Sequence, residues 1–414
     1  MNTVSPIRLL QVSLGAVICA LSAFALLEYP GHAYIYLLFT LICNALLYAG
    51  FRKKALFFDA FIGAFFWLGF WLKLTLRVAF IDGTFHEDVG NFDGSGTAFD
   101  RALLVTCCGL LPLLLVSILR ERFGFSYPAS LGATKHRGLL SYYQNNRAKI
   151  LIGFSVAVVL VTVTNFYFGI YQRGELPRTI PPFGLRGVYT WLLLFGLATF
   201  SALILDFEFS LNKKTPYLVV ALTLLEGFLT NVSMLSRGMI LNSSALAYGV
   251  VRSLTPKSIR PSYRLLAGWL VMFVLLFAVS IVLVQHVRSK SGESIRSKLD
   301  ISEIDPVSIG RGAPILFVDR WVGMEGVLAV TSYPKLGWGL WNEAWREVYA
   351  PRLSFYDANL VTSPYRNTDM TKHHNISLPG IVAFCFYPGS YAFLFLCRFV
   401  LGWIAVAIEI AVFK

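Results

Sequence analysis

Charged side chains are scarce in this sequence of 414 residues, of which only 14% are Asp, Glu, Lys or Arg. Soluble globular proteins carry about 25% charged residues, because a globule needs polar surface that faces water. Hydrophobic residues make up 56% of the chain, and the mean hydropathy is +0.63. This composition excludes a soluble globular class and predicts an all-α polytopic integral membrane protein.

Several motifs are absent as well. The six cysteines all lie in apolar stretches, and no Cys-x-x-Cys pair accompanies a histidine, so neither a disulfide framework nor a zinc site is predicted. The sequence has no Gly-rich phosphate loop, so no nucleotide site is predicted. We therefore expect a protein that uses no cofactor and no metal. Internal repeats and low-complexity linkers are also lacking.

Apolar runs recur at the length that a hydrocarbon core of about 30 Å requires. They predict about eleven transmembrane helices: Ile7–Leu27, Ala33–Phe51, Ala55–Leu76, Leu103–Leu119, Ile150–Ile170, Val188–Leu205, Tyr217–Leu235, Met239–Val251, Leu265–Gln285, Leu378–Leu396 and Phe399–Phe413. The eighth run is short and fits a re-entrant or tilted piece. The last run ends at Lys414 without a polar tail, as expected for a C-terminally truncated reading of a longer protein.

Basic residues are concentrated in alternate loops, namely those after the second, fourth, sixth and eighth predicted spans. The intervening loop from Arg77 to Arg101 has two basic against five acidic residues, a net charge of −3. By the positive-inside rule the N-terminus is cytoplasmic and the alternate loops are external. The net charge of +13 therefore reflects membrane topology and not a nucleic-acid partner.

The pattern divides the chain into three parts. Residues 1–286 hold the first nine spans, residues 287–377 form one large polar loop on the outer side, and residues 378–414 hold the C-terminal spans. Within the loop, apolar residues recur at helical spacing from Ile315 to Thr331. Gly323 and Gly326 lie on the other side of that helix, where they indicate the close approach of another group.

Four external arginines are candidate ligands for a lipid phosphate, since a guanidinium matches phosphate with two hydrogen bonds. They are Arg178, Arg186, Arg237 and Arg320. Each has a simpler interpretation. Arg237 fits a snorkelling residue, and Arg320 fits an ion pair with Asp319 or Glu325. The loop that holds Arg178 and Arg186 fits contact with anionic lipid, or a misassigned topology.

Other residue types could take part in chemistry. His373 and His374 stand at the outer interface before Leu378, where they are candidate general bases or structural residues. Trp338, Trp341 and Trp345 fit either an interfacial aromatic segment or a surface for stacking sugars. Glu226, inside the seventh span, fits a relay or a partner of Arg237.

The sequence resembles the bacterial O-antigen polymerases, which are oligosaccharide repeat-unit polymerases related to the O-antigen ligases. The resemblance lies in the span number, in the large external loop and in three stretches: Ser236-Arg237-Gly238, Asp319 to Gly326, and His374-Asn375 through Leu378-Pro379-Gly380 to Tyr387-Pro388-Gly389-Ser390. It implies a GT-C-like membrane glycosyltransferase of the inner membrane that acts on the periplasmic side. Its substrates would be undecaprenyl-pyrophosphate-linked oligosaccharides, polymerised into O-antigen, capsule or exopolysaccharide.

The resemblance also implies roles. Positive charge from Arg178, Arg186, Arg237 and Arg320 would stabilise the departing pyrophosphate in place of a metal. His374 is the first choice as base for the attacking sugar hydroxyl, with His373, Asp319 and Glu325 behind it. The tryptophans would stack against sugars. A chain-length regulator and a flippase of the same pathway are possible partners, beside membrane lipid.

Two alternatives stay open. A flippase for the same lipid-linked sugars would show internal repeats and more polar residues within the membrane, which this sequence lacks. An O-antigen ligase-type transferase would use the same chemistry on another acceptor, and sequence alone hardly separates it from a polymerase.

Overall fold

The computed structural model describes residues 6–52, 54–85, 89–123, 137–173, 177–211, 216–236, 238, 246, 249, 262–289, 318, 321–347, 354–361 and 378–413. Every regular element in these ranges is a helix. In chain order the helices are α1 Pro6–Glu28, α2 Ala33–Gly50, α3 Phe57–Phe80, α4 Gly96–Phe123, α5 Arg137–Phe168, α6 Leu185–Leu211, α7 Tyr217–Ser233, α8 Tyr263–Ser289, α9 Met324–Ser332, α10 Trp338–Trp345, α11 Phe355–Asn359, α12 Gly380–Cys385 and α13 Tyr391–Phe413.

Seven of these helices are long and apolar enough to cross a membrane, namely α2 to α6, α8 and α13. Helices α1 and α7 contribute shorter apolar stretches, Val12–Glu28 and Tyr217–Ser233. Large apolar side chains stand exposed along several helices, as Leu270 and Leu275 do on α8. Such faces are rare on soluble proteins and are covered by lipid in a membrane. The prediction of a helical polytopic membrane protein is confirmed, while the short eighth span lies outside the described residues except for 246 and 249.

The predicted pair of C-terminal spans is wrong. The structure has one long helix, α13, which runs unbroken through the predicted boundary between Leu396 and Phe399. The break comes earlier, after the short helix α12, where Gly389 adopts a positive φ of 73° behind Pro388. Ser390 directly precedes α13, and its hydroxyl accepts the Phe393 N–H at 3.3 Å, as an N-cap residue does. Turn residues decided this boundary, and hydropathy did not reveal it.

The described chain forms two compact units. Unit 1 combines Met1–Tyr127, Gly312–Thr368 and Ile376–Lys414, so residues from the start and the end of the sequence share one core. Helix α4 lies at its centre, in contact with α2, α9 and α13. Glu409, near the end of α13, accepts the N–H groups of Phe57 and Phe58 at 2.7 and 3.1 Å. A carboxylate at a helix N-terminus is stabilising, so this contact joins α13 to α3.

Unit 2 comprises Pro128–Arg311 and Asp369–Asn375. Helix α7 is its central element and contacts α5, α6 and α8. A buried carboxylate, Glu208, joins α6 to α5, because it accepts from the Tyr143 hydroxyl at 2.7 Å and from Arg147 Nη2 at 3.0 Å. A second buried carboxyl group, Glu226 on α7, accepts from Ser201 at 3.3 Å and from Thr230 at 3.0 Å.

Candidate functional site

Part of the long polar loop is folded into the core of unit 1 as helix α9. Residues Met324 to Thr331 are buried on every side of this helix. The sequence predicted a longer helix, from Ile315 to Thr331, with a single apolar face. That prediction is wrong at Trp321, Val322 and Gly323, which form a bend, so that α9 begins at Met324; residues 315–317, 319 and 320 lie outside the described residues. The cause is tertiary: neighbouring elements of unit 1 surround α9, so no face remains for solvent.

The two loop glycines allow this insertion. A methyl group on Gly323 would overlap the carbonyl oxygen of Gly69, and one on Gly326 would overlap that of Pro379. Gly69 in turn lies in a π-helical segment of α3, Trp67–Leu72, where an added methyl group would stand 2.6 Å from the Val322 carbonyl oxygen. The prediction that these glycines permit a close approach is confirmed. Because every obstacle is backbone, no side-chain movement could make room.

A buried ion pair fixes the start of α9 to α3. The Lys73 ammonium donates to both Glu325 carboxylate oxygens, at 2.7 and 2.8 Å, and to the Trp321 carbonyl oxygen at 2.5 Å. Both side chains are buried. Lys73 lies about 10 Å along α3 from Phe80, at a rise of about 1.5 Å per residue. The loop segment is thus anchored well inside a helix long enough to cross the membrane.

Lys73 is the site residue that sequence reasoning missed. It stands inside the predicted span Ala55–Leu76, and an ionisable residue within a membrane span is a candidate functional residue. That signal was available, but the sequence does not identify the partner of Lys73, because Glu325 lies 252 positions away. Since Lys73 contacts both carboxylate oxygens, the geometry favours a positioning role for Glu325 over the proton-acceptor role that the sequence also allowed. The π-helical turn next to Lys73 is an irregularity often found at functional sites.

A second buried cation was also missed. Arg398, on α13, is buried, and its guanidinium lies 5.1 Å from the centre of the Phe66 ring. Its Nε donates to the Gly109 carbonyl oxygen at 3.2 Å. Pro112, in the next turn of α4, has no N–H to offer the preceding turn, and a proline of this kind loosens nearby helical hydrogen bonds. Arg398 therefore joins α13 to α4 and to α3 at once.

The three predicted sugar-binding tryptophans belong to helix α10 and differ in exposure. Trp338 is 54% exposed and Trp345 is 68% exposed. Trp341 lies between them and packs on Phe384 and Phe393, with ring centres 4.7 and 5.1 Å away. Trp345 stacks on Trp341 at 5.6 Å and leaves its outer face open. Trp338 and Trp345 remain available to a ligand or to the lipid interface, whereas Trp341 is part of the packing.

The two described arginines of the predicted pyrophosphate site lie in unit 2. Arg178 donates through Nη2 to the Phe166 carbonyl oxygen at 2.9 Å, and its backbone N–H donates to the Gly169 carbonyl oxygen at 3.0 Å. It therefore caps the C-terminus of α5, where a cation is stabilising. Arg186 is exposed near the start of α6. Both arginines expose their side chains, so they are accessible to an anion.

The remaining predicted site residues lie outside the described residues. They are Arg237, Asp319, Arg320, His373 and His374. Among the residues that are described, no group of three or more His, Cys, Asp and Glu side chains could hold a metal ion. Trp341 and Trp345 are predicted site residues that the structure brings into contact.

Comparisons with protein-family models, with curated proteins and with solved structures found no match to this chain. The geometry of the described residues is therefore the observation on which a functional proposal rests.

Proposed function

We propose that this chain is a membrane glycosyltransferase that polymerises undecaprenyl-pyrophosphate-linked oligosaccharide repeat units into a surface polysaccharide. It would act on the periplasmic face of a bacterial inner membrane, with a cytoplasmic N-terminus. The observation that supports the proposal is the anchored segment Trp321–Ser332. A polar loop that is held in a helical core by a buried ion pair and three glycine contacts is fixed in position, as catalytic groups need to be.

The anchored segment follows directly on the sequence pair Asp319-Arg320. Trp321 is the next residue, and its carbonyl oxygen accepts from Lys73. In this proposal Lys73 and Glu325 neutralise each other and act as positioning residues, while arginine provides charge for the pyrophosphate. Arg320 is the candidate in unit 1, and the accessible Arg178 and Arg186 are the candidates in unit 2. The leaving group is already stable as an anion, so positive charge is the main requirement for its departure.

The sugar hydroxyl that attacks needs a proton acceptor, and the sequence predicts His374 or His373 for it. The exposed rings of Trp338 and Trp345 offer surfaces for the apolar faces of sugars. These rings lie in unit 1, which also holds the Lys73–Glu325 pair.

The test is the size ladder of surface polysaccharide in a strain that lacks this gene. A polymerase predicts loss of long chains while single repeat units still reach the surface. A ligase-type transferase predicts that finished polymer accumulates on undecaprenyl carrier. Normal long chains in the deletion strain would overturn the proposal.

A lipid-linked oligosaccharide flippase is the second candidate, and one observation favours it. Glu226 is buried within the apolar helix α7 and accepts from two hydroxyl groups, those of Ser201 and Thr230. Buried carboxyl groups in apolar helices mark proton pathways in carriers. The same deletion strain separates this candidate, because a missing flippase would leave lipid-linked repeat units on the cytoplasmic side.

A further inference from the structure

A second cluster of chemically capable groups lies in unit 1, where the loop between α1 and α2 meets the first turns of α4. The buried carboxylate of Asp100 accepts from the Tyr29 hydroxyl at 2.9 Å and from the His32 backbone N–H at 3.0 Å. Its Oδ2 also lies 2.6 Å from His32 Nδ1. No local pattern in the sequence indicates this cluster, because Asp100 is 68 positions from His32.

Two glycines make this arrangement possible. A methyl group on Gly31 would overlap Asp100 Oδ1, and one on Gly96 would overlap the Pro30 carbonyl oxygen. The loop backbone therefore lies directly on the start of α4. Asp100 is held by donors on two sides, so its position and that of the imidazole are well determined.

The imidazole itself remains open to its surroundings. The His32 side chain is 62% exposed, whereas that of Asp100 is 8% exposed. In the tautomer that has its proton on Nδ1, the imidazole donates to Asp100 and carries its lone pair on Nε2. In the part of the chain that the structure describes, Nε2 contacts no hydrogen-bonding group.

This is the geometry of a general base held by a carboxylate. The carboxylate selects the tautomer, orients the ring and stabilises the imidazolium that forms when Nε2 takes up a proton. A purely structural tie would not need the imidazole, since the Tyr29 hydroxyl and the His32 backbone N–H already join the loop to α4. The exposed imidazole is the part of His32 that such a structural role does not require.

A cavity of about 440 Å³, in the size range of small-molecule sites, lies beside the chain neighbours of the cluster, although His32 and Asp100 themselves do not line it. Pro30 and Phe99, sequence neighbours of the cluster, contribute to its wall, beside the rings of Phe85 and Phe92. Glu28 and Asp82 also line it. Aromatic rings suit the C–H faces of a sugar, and carboxylates accept from its hydroxyl groups. The cavity thus fits a polyhydroxylated ligand better than an anionic one.

We infer that His32, and not His373 or His374, is the proton acceptor for a sugar hydroxyl of the acceptor repeat unit, with Asp100 as its positioning residue. This inference rests on the proposed function and deepens it. The hydroxyl oxygen bonds to the anomeric carbon of the donor sugar while the bond from that carbon to the pyrophosphate oxygen breaks, and the bonding pair leaves with the pyrophosphate. The hydroxyl proton moves to His32 Nε2, and the imidazolium later returns it to water.

The location agrees with the proposed topology. The cluster lies at the end of the helices where α1 ends, α2 begins and α4 begins, and the cavity wall adds the end of α3. This is the end that the positive-inside rule places outside the membrane. Lipid-linked donor and acceptor would meet on the same side.

His32→Asn is the decisive variant, because the asparagine amide can still donate to Asp100 but cannot take up a proton. We expect polymer formation in membranes from a complemented deletion strain to fall about 100-fold or more, which is the usual contribution of a general base. The thermal stability of the purified protein should stay at the wild-type level. Tyr34→Phe, which alters an exposed ring 5.4 Å from His32, is the matched control and should polymerise normally.

Asp100→Asn adds a second readout. As a positioning residue, Asp100 should affect kcat for repeat-unit transfer more than the KM for the acceptor. Wild-type amounts of polymer from His32→Asn, in a strain where the wild-type gene restores the ladder, would overturn this inference alone. If the wild-type gene has no effect on the ladder, the proposed function itself fails.

Discussion

Glu325 in unit 1 and Glu226 in unit 2 are both buried, yet the surroundings of the two side chains differ. In unit 1, Glu325 pairs with the Lys73 ammonium at 2.7 and 2.8 Å. In unit 2, Glu226 accepts from the hydroxyl groups of Ser201 and Thr230. An ion pair away from water holds its partners firmly, because losing one partner leaves a buried charge. Hydroxyl donors impose a smaller penalty when one of them is removed.

The difference indicates two uses of a buried carboxylate. Glu325 attaches a segment of the polar loop to a membrane helix, so its role is to hold that segment in position. Glu226 joins neighbouring helices through neutral groups, which tolerate a change in its chemistry. Four substitutions test this comparison, from the largest expected effect to the smallest.

The largest effect should follow from breaking the Lys73–Glu325 pair. Lys73→Met leaves the Glu325 carboxylate buried without this partner, which typically costs about 3–5 kcal/mol. The measurement is the free energy of unfolding in detergent, together with the amount of folded protein in the membrane. The double variant Lys73→Met with Glu325→Met removes both charges and should recover much of the loss. A single variant as stable as the wild type would show that the pair does not hold the loop segment.

Gly326→Ala tests the packing of that same segment. The added methyl group would overlap the Pro379 backbone, and such overpacking typically costs about 1–3 kcal/mol. Gly153→Ala in α5 is the matched control, because a methyl group there meets nothing within 4 Å. It should unfold within about 1 kcal/mol of the wild type. Equal melting temperatures for the two variants would contradict the close approach of α9.

Thr230→Val removes one hydroxyl donor from Glu226 while it keeps the shape of the side chain. The expected loss is about 1 kcal/mol, because the Ser201 hydroxyl remains as a donor. Thr199→Val on α6 serves as the control, since that hydroxyl donates to the Phe195 carbonyl oxygen of its own helix. If Thr230→Val lowered the free energy of unfolding as much as Lys73→Met does, Glu226 and Glu325 would be equally dependent on their partners.

Glu226→Gln should have the smallest effect. The amide keeps the size of the side chain and an acceptor oxygen for Thr230, so the free energy of unfolding should change by less than about 1 kcal/mol. Glu325→Gln, the matched change in unit 1, should destabilise the protein several times more, since it removes the charge that Lys73 faces. If Glu226→Gln and Glu325→Gln lowered the free energy of unfolding equally, the two carboxylates would not differ in their contribution to stability.

Most of the long helices could be predicted from hydropathy, because crossing a hydrocarbon core demands a continuous apolar run wherever it occurs. The apolar runs predicted most of the ends of α2, α3, α4 and α8 to within a few residues. The C-terminal boundary was wrong, since both sides of it are apolar and the turn at Pro388 and Gly389 gives only a weak local signal. Gly323 and Gly326 were correctly predicted to face a close neighbour, although no pattern could name Gly69 or Pro379.

The candidate site was less predictable. Tryptophans and arginines could be singled out by type, but their roles depend on contacts. Only the folded structure shows that Trp341 packs against other rings while the Trp345 side chain stays exposed. Arg178 turned out to cap α5. Lys73 carried a signal as a charged residue inside a predicted span, but neither Lys73 nor His32 could be matched to its distant partner from the sequence.

The sequence by itself determined that this protein is a helical membrane protein, because hydropathy is a local property that each segment carries alone. It also determined where glycine and charge interrupt the apolar runs. Only the tertiary structure decided that Lys73 meets Glu325 and that His32 meets Asp100, across 252 and 68 positions. Such pairs depend on how distant helices pack, and the energy of a buried charge exists only once water has been excluded from around it.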